Sequence, residues 1–383
     1  MKKKLNLKNK FYPVNEPLIT KKNAKDVYRS MLSGWVSSDG PNVKIFEKKL
    51  ASLFNRQYGI SVSSGTAALE IAVKSLNLKK DSEVIVSDFS IISTALAVVK
   101  NNCSPVFVDC DPITWNMKIE EIEKKINKRT KCIIATHIYG YPVAIDKIVK
   151  ICKKYKLYLI EDAAEMIGHK YKGGYCGSFG DLSIISFYAN KHITTGEGGM
   201  IFTNKKKLEI ICKNQRNLCF GSGDNRYMHT GVGWNYRMSN IQATLGLSQI
   251  DDISKIIKKK KEVGKNYFNI LKNFNNIYVQ QPVINSIENI YWVVGLVFKK
   301  KINLSNLRSK LLKKGVQTRP FFYPLHKQPF LKKFKRKNDS FYNTIYISKY
   351  GMYLPSSISL RKKDILEICS ILKKTLVQIK YSV

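Results

Sequence analysis

Several features that mark membrane, metal-binding and secreted proteins are scarce or missing in this sequence. No stretch approaches the ~18 consecutive apolar residues that a membrane-spanning helix needs. The basic residues 1–8 are not followed by the apolar segment of a secretory signal. The 8 cysteines form no Cys-x-x-Cys pair and the 5 histidines are scattered, so we expect no metal site and reduced thiols. Together these features predict a cytoplasmic protein that uses neither a membrane nor a metal.

Acidic residues are also scarce, because 28 Asp and Glu stand against 66 Lys and Arg, and the formal net charge is +38. Such a charge is compatible with a surface that binds nucleic acid or another polyanion. However, the lysines are dispersed through helical patterns, and the sequence has no arginine-rich tract and no recognisable nucleic-acid module. We therefore expect no nucleic-acid partner. A compositional bias toward Lys and Asn, or a positive field that favours an anionic substrate, would also explain the charge.

The pattern that the sequence does contain is an alternation of short apolar strands with helices, from about residue 58 to residue 160. It predicts an α/β fold in which a mostly parallel sheet is covered by helices on both faces. A long helix is predicted from Ser239 through Lys261, and an α+β pattern follows it, with a strand at 291–298 and a helix at 365–379. We expect an irregular N-terminal arm at 1–20, a large domain at 21–255 and a smaller α+β domain at 256–383.

Polar residues follow several of the predicted strands, at the sheet edge where ligands usually bind. The tract Ser64-Gly65-Thr66 opens a helix whose free N–H groups suit an anion, although an ordinary helix cap has the same composition. Asp162 follows an apolar strand and precedes two alanines, so it should be partly buried and need a cationic partner. Lys191 lies where another strand, which contains Ser186, runs into a glycine-rich tract.

These features share one chemical interpretation. A lysine at the junction of a strand and a glycine-rich tract can form a Schiff base with an aldehyde. The alternative is that Lys191 is one more solvated surface lysine. An anion cradle, a buried acid and a lysine are what a phosphorylated, pyridine-containing aldehyde needs. The sequence therefore predicts a site for pyridoxal 5'-phosphate, with Asp162 keeping the pyridine nitrogen protonated. His137, after the predicted strand at 132–135, is as compatible with a structural hydrogen bond as with a ligand contact.

Six tracts, in order over nearly the whole chain, carry a resemblance to a known family. They are residues 33–38, 64–69, 161–165, 186–199, 233–238 and 318–326. In these tracts the chain resembles the nucleotide-sugar aminotransferases of the DegT–StrS family, which have the pyridoxal-phosphate fold type I, similar to aspartate aminotransferase. The tracts 190–199 and 226–229 look most like the GDP-perosamine synthase branch of that family.

The resemblance implies a role for each matching residue around the cofactor. Lys191 would bind the cofactor covalently and move the proton, Asp162 would pair with the pyridine nitrogen, and Glu165 would lie near the phenolic oxygen. The residues implied in phosphate binding are Ser64, Gly65, Thr66 and Ser186. Asn235 would reach the phosphate from a second subunit, which implies a homodimer with shared active sites.

The chain departs from the family pattern at two positions. Ile91 occupies the position of an aromatic residue that stacks on the cofactor ring, so we expect looser ring packing. His192 directly follows Lys191, and a related branch with histidine in place of the lysine is a sugar 3-dehydratase. The spacing from Ser186 places Lys191, rather than His192, at the catalytic position.

The reaction that the resemblance implies moves the amino group of glutamate to the 4-keto group of a nucleotide-linked 4-keto-6-deoxy sugar. Pyridoxamine phosphate is the intermediate form of the cofactor. The best match is the conversion of GDP-4-keto-6-deoxymannose to GDP-perosamine, for a cell-surface polysaccharide such as O-antigen. Substrate contacts are expected from Trp35, Ser37, Ser38, His229, Arg237, Arg319, Tyr323 and His326. Trp35 could instead belong to the core, and Arg237 could brace a helix entrance.

Two other functions remain compatible with the sequence. One is an aminotransferase that acts on a UDP- or dTDP-linked keto sugar, at the 4- or the 3-position. The other is a catalytically inactive polyanion-binding or regulatory paralogue, which the net charge motivates. The presence of both Lys191 and Asp162 favours an enzyme, since an inactive paralogue need not keep them.

Overall fold

The computed structural model of the chain describes residues 10–381, in which helices and strands alternate. Its α-helices are α1 (Lys21–Leu32), α2 (Pro41–Leu53), α3 (Gly65–Ser75), α4 (Ile92–Lys100), α5 (Ile122–Lys125), α6 (Ile145–Tyr155), α7 (Lys206–Arg216), α8 (Asn240–Ile250), α9 (Ile253–Leu271), α10 (Leu304–Lys313), α11 (Tyr342–Tyr350) and α12 (Lys362–Gln378). Its strands are β1 (Tyr58–Val62), β2 (Glu83–Ser87), β3 (Ser104–Val108), β4 (Thr130–Thr136), β5 (Tyr158–Asp162), β6 (Lys170–Tyr171), β7 (Gly174–Tyr175), β8 (Leu182–Ser186), β9 (Gly199–Thr203), β10 (Ile277–Val279), β11 (Val283–Ile284), β12 (Ile287–Glu288), β13 (Val294–Phe298), β14 (Arg319–Pro320) and β15 (Gly351–Leu354). Short 3-10 helices lie at Ile119–Glu121, Gly223–Asn225, Leu325–Lys327 and Pro329–Phe334.

A seven-stranded sheet with the order β1-β9-β8-β5-β4-β2-β3 is the centre of the first half of the chain. Strand β9 is antiparallel to both of its neighbours, and the other adjacent pairs are parallel. Strands such as β2 and β8 are buried at every residue, because helices cover both faces of the sheet. The predicted α/β fold with a mostly parallel sheet is confirmed.

The helices of this region have local reasons to begin and to face the sheet. Helix α3 follows β1 directly, and the side chain of Ser64 caps it by accepting a hydrogen bond from the backbone N–H of Ala67. Helix α6 buries Ile145, Ile148 and Ile151 on one face, which is the spacing of an amphipathic helix. Each helix returns the chain to the start of the next strand, so the ends of the parallel strands share one edge of the sheet.

A second, antiparallel sheet with the order β10-β13-β15-β14 lies in the C-terminal part of the chain. Tyr12 and Val14, from the predicted N-terminal arm, belong to the hydrophobic core beside it, and the backbone N–H of Tyr12 donates to the carbonyl of Gly315. Residues 1–9 of that arm lie outside the described residues. The domain limits stay a prediction, and the boundary after residue 255 falls inside α9.

Two predicted elements differ from the structure. The single helix from Ser239 through Lys261 is wrong, because α8 and α9 are separated at Asp251 and Asp252. Asp252 is the N-cap of α9 with φ −92° and ψ 1°, and aspartate disfavours a helix interior because its carboxylate competes for backbone N–H groups. The strand predicted at 291–298 begins only at Val294, because Tyr291 has a positive φ of 54°. The prediction also omitted α7, α10, α11 and β15.

The described residues contain no helix that is both long and apolar enough to cross a membrane. Each of the eight cysteines is buried and free. Within residues 10–381, no three His, Cys, Asp or Glu side chains are grouped so that they could hold a metal ion.

Candidate active site

A cavity of about 350 Å³ opens at the carboxyl ends of the parallel strands. Strands β4, β5 and β8 end in its wall with Thr136, Asp162 and Ser186. The predicted site residues that line it are Ser64, Gly65, Thr66, Ile91, Asp162, Glu165, Ser186, Lys191 and Arg319. The fold therefore brings together the residues that the sequence places at separate strand ends.

The N-terminus of α3 and Ser186 form one end of the cavity. A Cβ atom on Gly65 would lie 2.9 Å from the Cβ of Ser186, so this close approach of the two segments requires glycine. The hydroxyls of Thr66 and Ser93 hydrogen-bond at 2.8 Å, which fixes Thr66 beside the helix terminus. The first N–H groups of a helix lack partners within the helix, and the helix dipole favours negative charge there. This end of the cavity suits a phosphate group.

Asp162 supplies a buried carboxylate to the same cavity. Its Oδ1 accepts a hydrogen bond of 3.1 Å from the backbone N–H of Ala164. Burial raises the pKa of Asp162, whereas this hydrogen bond and the positive charge of Lys191 favour the ionised form. A cation placed against Asp162 inside the cavity would offset the cost of burying its charge.

Lys191 and Glu165 face each other within the cavity. The Nζ of Lys191 lies 3.7 Å from Oε1 of Glu165, and only 9% of the Lys191 side chain is exposed. Burial lowers the pKa of Lys191 and raises the pKa of Glu165 to about 7. The Oε2 of Glu165 accepts a hydrogen bond of 2.6 Å from the backbone N–H of Tyr139, which holds the carboxylate in place. Burial thus moves the lysine toward the neutral amine that base and nucleophile chemistry needs.

Buried polar atoms in the cavity wall, among them Ser90 Oγ and Asn190 Oδ1, have no hydrogen-bond partner within residues 10–381. Buried polar atoms are rarely left without partners, so these atoms indicate a cavity that is built for a polar ligand. The anion site, the buried carboxylate and the lysine match the phosphate, the pyridine nitrogen and the aldehyde of pyridoxal phosphate. The residues present therefore fit this cofactor.

Several predicted substrate residues, and the predicted phosphate contact Asn235, lie on the surface outside the cavity lining. Trp35 and Tyr323 expose 52% and 58% of their surface, Ser37 and Asn235 are also exposed, and Ser38 is half-buried. The backbone carbonyl of Trp35 accepts a hydrogen bond of 2.8 Å from the side chain of Asn240. This contact anchors the loop to α8 and leaves the indole free, so Trp35 is not a core residue.

Arg237 and His229 both contact the segment that follows α7. The Nη1 of Arg237 donates a hydrogen bond of 2.6 Å to Oδ1 of Asn217. The Nδ1 of His229 lies 2.7 Å from the carbonyl oxygen of Leu218, and its ring is exposed. The contact of Arg237 agrees with the alternative that this residue braces the entrance to α8. The side chains of Arg237 and His229 do not line the cavity.

His326 lies outside the cavity, in a contact between the residue after β2 and the C-terminal part of the chain. Its Nδ1 is 2.7 Å from Oδ2 of Asp88, and its backbone N–H donates to Oδ1 of the same residue at 2.7 Å. Its ring stacks on Phe341 with 4.3 Å between the ring centres. These contacts hold the histidine beside Asp88 and Phe341, and His326 does not line the cavity, so its position gives no support to the predicted substrate contact.

The other two histidines near the strand ends are also buried away from the cavity lining. His137 accepts a hydrogen bond from the backbone N–H of Val143 on Nδ1, which leaves its Nε2 proton for Glu161 at 3.0 Å. His137 therefore has the structural role. His192 has no hydrogen-bond partner for either ring nitrogen among the residues that the structure describes, and burial lowers its pKa well below the usual value. Lys191 lines the cavity, whereas His192 does not.

The sequence did not predict four aromatic residues of the cavity wall, which are Tyr188, Trp292, Phe322 and Tyr353. The Nζ of Lys191 lies 3.8 Å from the centre of the Trp292 ring. Thr136 and Ser90 were also missed, although Thr136 ends β4 and Ser90 follows β2. These two hydroxyls and Tyr188, which follows β8, lie at strand ends that the sequence indicates, but Trp292, Phe322 and Tyr353 follow no strand of the parallel sheet.

Comparison with known proteins assigns this site to a family. A model of the DegT/DnrJ/EryC1/StrS aminotransferase family matches residues 17–373. The chain belongs to this family. GDP-perosamine synthase of Escherichia coli O157:H7 is 37% identical over 363 residues, which cover 94% of this chain and 97% of that protein. GDP-perosamine synthase of Vibrio cholerae is 33% identical over 363 residues, with 94% and 98% covered. Helicobacter pylori PseC, an aminotransferase involved in the biosynthesis of pseudoaminic acid, has a solved structure that matches with a TM-score of 0.90 at 23% identity. That match covers 96% of this chain and 100% of PseC.

Membership of the DegT/DnrJ/EryC1/StrS family gives the cavity its chemistry. The chain is a pyridoxal-phosphate-dependent sugar-nucleotide aminotransferase, and its fold is that of the aminotransferases. The predicted enzyme class and cofactor are confirmed. The roles of the individual site residues stay predictions, including those of Lys191 and Asp162.

Proposed function

We propose that this aminotransferase moves the amino group of glutamate to the 4-keto group of GDP-4-keto-6-deoxymannose and so forms GDP-perosamine. The function named for the relatives from Escherichia coli and Vibrio cholerae supports this substrate. The product would be made in the cytoplasm and used for a cell-surface polysaccharide such as O-antigen. The net charge of +38 is also compatible with an anionic nucleotide-sugar substrate.

The observation that carries the proposal is the meeting of Lys191, Asp162 and the N-terminus of α3 around one cavity. Pyridoxal phosphate, when bound, would supply an aldehyde carbon that takes up an amino group and a ring that accepts electrons. The N–H groups at the start of α3, with Thr66 and Ser186, would hold the phosphate. Asp162 would hold the proton on the pyridine nitrogen, because a buried carboxylate favours a positive partner.

Lys191 moves the proton in both halves of the reaction. Its Nζ takes a proton from the α-carbon of glutamate, and in the second half it takes part in delivering a proton to C4 of the sugar. Both steps need an amine that exchanges readily between its neutral and charged forms. Burial lowers the pKa of Lys191, whereas Glu165 at 3.7 Å favours the charged form.

The substrate would enter from the exposed side of the cavity, where Arg319 lies in the wall. A guanidinium matches the planar oxygen pair of a carboxylate or a diphosphate. We propose that the exposed Trp35, Ser37 and Tyr323, with the half-buried Ser38, contact the sugar nucleotide. Asn235, Arg237 and His229 would act on the site of a second copy of the chain, in a homodimer with shared active sites.

A first experiment tests the cofactor-binding residue. Purified protein incubated with pyridoxal phosphate should show the visible absorption of bound cofactor, and Lys191→Ala should lose it. Lys255→Ala is a matched control, because that lysine is exposed on α9 and distant from the cavity. If Lys191→Ala keeps the absorption and the activity, the assignment of Lys191 is wrong.

A second experiment identifies the substrate. The enzyme is incubated with glutamate and a panel of GDP-, UDP- and dTDP-linked 4-keto-6-deoxy sugars, and the products are identified by mass spectrometry. Amination of the GDP-linked sugar at carbon 4 supports the proposal. Amination of only a UDP- or dTDP-linked sugar, or at carbon 3, replaces it with the alternative substrate. No amination with any sugar or amino donor would leave the inactive paralogue as the explanation.

A third experiment tests the shared active site. Lys191→Ala and Asn235→Ala chains are each purified, then unfolded and refolded together. In a mixed dimer one site would carry both changes and the other neither, so roughly a quarter of the wild-type sites should be restored. If mixing restores no activity beyond that of the separate variants, Asn235 does not act across subunits.

A further inference from the structure

Trp292 covers the amine of Lys191 from the side of the C-terminal sheet. The Nζ of Lys191 lies 3.8 Å from the centre of the indole ring. A cation at this distance from a tryptophan face is attracted by the negative charge of the ring, and the attraction is larger when water is excluded. Trp292 is buried, so this contact favours the charged form of Lys191 in a place where burial disfavours it.

The same indole also holds the peptide that precedes Lys191. The Nε1 of Trp292 donates a hydrogen bond of 3.0 Å to the carbonyl oxygen of Asn190. The side chain of Asn15 donates a second hydrogen bond, of 2.7 Å, to the same oxygen. The backbone N–H of Lys191 donates to the carbonyl of Tyr188 at 2.9 Å. These hydrogen bonds fix the carbonyl and the N–H of the peptide that joins Asn190 to Lys191. Trp292 therefore contacts the lysine through this peptide and through the amine.

Trp292 itself is held by contacts that leave it little freedom. The buried Nζ of Lys260 donates to the carbonyl oxygens of Trp292 at 2.9 Å and of Ser356 at 2.6 Å. Tyr291 has a φ of 54°, a left-handed conformation that is costly for a bulky residue and persists only where the surroundings enforce it. A Cβ atom on Gly140 would lie 2.5 Å from the backbone nitrogen of Trp292. The loop after β4 therefore packs closely against the backbone of Tyr291 and Trp292.

We propose that Trp292 is a positioning residue for Lys191, with its indole N–H fixing the Asn190 peptide and its ring face holding the lysine amine. This proposal rests on the assignment of Lys191 as the lysine that binds the cofactor. The strained Tyr291 and the buried Lys260 serve to aim the indole at Lys191. A purely packing role would account for the burial of the ring but not for the two polar contacts.

Ionisable groups of both signs lie close to Lys191 or line the same cavity. The carboxylates are Asp162, Glu165 and Glu197. The other groups are His192, Lys260, Arg319, Tyr188 and Tyr353. All of them are retained when Trp292 is replaced by leucine, which is also apolar. A change of the Lys191 titration in Trp292→Leu therefore reports the loss of the indole.

The test uses the cofactor-free protein and acetic anhydride, which reacts with neutral amines. The extent of acetylation of Lys191 is followed by mass spectrometry as a function of pH. In Trp292→Leu the midpoint of the profile should fall by about one pH unit, because the contact that favours the charged amine is lost. Phe322→Leu is the matched control, since it removes another aromatic ring of the same cavity wall and should leave the midpoint unchanged.

Trp292→Phe separates the two contacts, because it keeps a ring face and removes the N–H group. Its midpoint should lie between those of the wild type and Trp292→Leu, and its rate of capture of pyridoxal phosphate should fall about fivefold, the effect of one hydrogen bond. This variant carries the test if Trp292→Leu does not fold. An unchanged midpoint and capture rate in the variants overturns the proposal, and so does a midpoint that rises. These measurements need no turnover, so they stand apart from the choice of substrate.

Discussion

Glu165 is the side chain whose replacement should change the chemistry of Lys191 most directly. Glu165→Gln keeps the size of the side chain and can still accept the hydrogen bond from the backbone N–H of Tyr139. It removes the negative charge that lies 3.7 Å from the Nζ of Lys191. Among the neighbours of Lys191, Glu165 contributes most to keeping the amine charged. The variant should therefore lower the pKa of Lys191 further.

The geometry sets the size of this effect. Two unit charges about 4 Å apart interact by about 4 kcal/mol at an effective dielectric constant of about 20, which corresponds to about three pKa units. The pKa of Glu165 is itself raised to about 7, so its carboxyl group is only partly ionised near neutral pH. Asp162 also remains to favour the charged amine. We therefore expect the Lys191 midpoint to fall by about one to three pH units.

The assay is the pH dependence of Lys191 acetylation in the cofactor-free protein. The Glu165→Gln profile should move to lower pH, because a base that loses a negative neighbour releases its proton more readily. Glu197→Gln is the control, since Glu197 is exposed and lines the same cavity without an ion pair to Lys191 among the described contacts. A profile for Glu165→Gln that coincides with the control would refute the coupling between Glu165 and Lys191.

Two further predictions concern stability and cofactor binding. Burial lowers the pKa of His169 to about 4. Between about pH 6.5 and pH 4 the unfolded chain therefore binds a proton that the folded chain does not. The free energy of unfolding should fall by up to about 3 kcal/mol as the pH is lowered through this range. Urea unfolding at several pH values measures this effect. His169→Gln should make the free energy of unfolding depend less on pH, whereas replacement of the exposed His229 by Gln should not. Equal pH dependence in the two variants would contradict the role of His169. Ile91→Tyr should bind pyridoxal phosphate about two- to tenfold more tightly, because an aromatic ring gains about 0.5–1.5 kcal/mol by stacking. Equilibrium titration measures this change, and an unchanged affinity would mean that the ring does not pack on residue 91.

The parts of the site that could be predicted from the sequence are those with a local cause. Ser64, Asp162 and Ser186 stand at the ends of apolar strands, and parallel strands deliver such residues to one edge of a sheet. The break between α8 and α9 at Asp251 and Asp252 also has a local cause, but the strong apolar periodicity on either side concealed it. Residue type and spacing were sufficient for the sheet and its ligand-binding edge.

The residues that could not be predicted depend on contacts between distant segments. Trp292 contacts Lys191 from a segment in which Tyr291 adopts a left-handed conformation, which a tyrosine in an apolar run does not indicate. His326 has a residue type that suits substrate binding, yet Asp88 occupies its Nδ1 and its backbone N–H. Nothing in the local sequence of either residue gives its partner, because each contact joins segments that are about 100 or more residues apart.

The role proposed for Lys191 places two opposing requirements on its amine. The amine must be neutral to accept a proton and charged to donate one, so neither form can be strongly favoured. Burial lowers the pKa of Lys191, while Glu165 and Asp162 raise it and the face of Trp292 favours the charged form. Removal of either Glu165 or the Trp292 ring should therefore move the amine in the same direction, toward the neutral form. If the two changes moved it in opposite directions, the indole would act by excluding water rather than by holding the ammonium group.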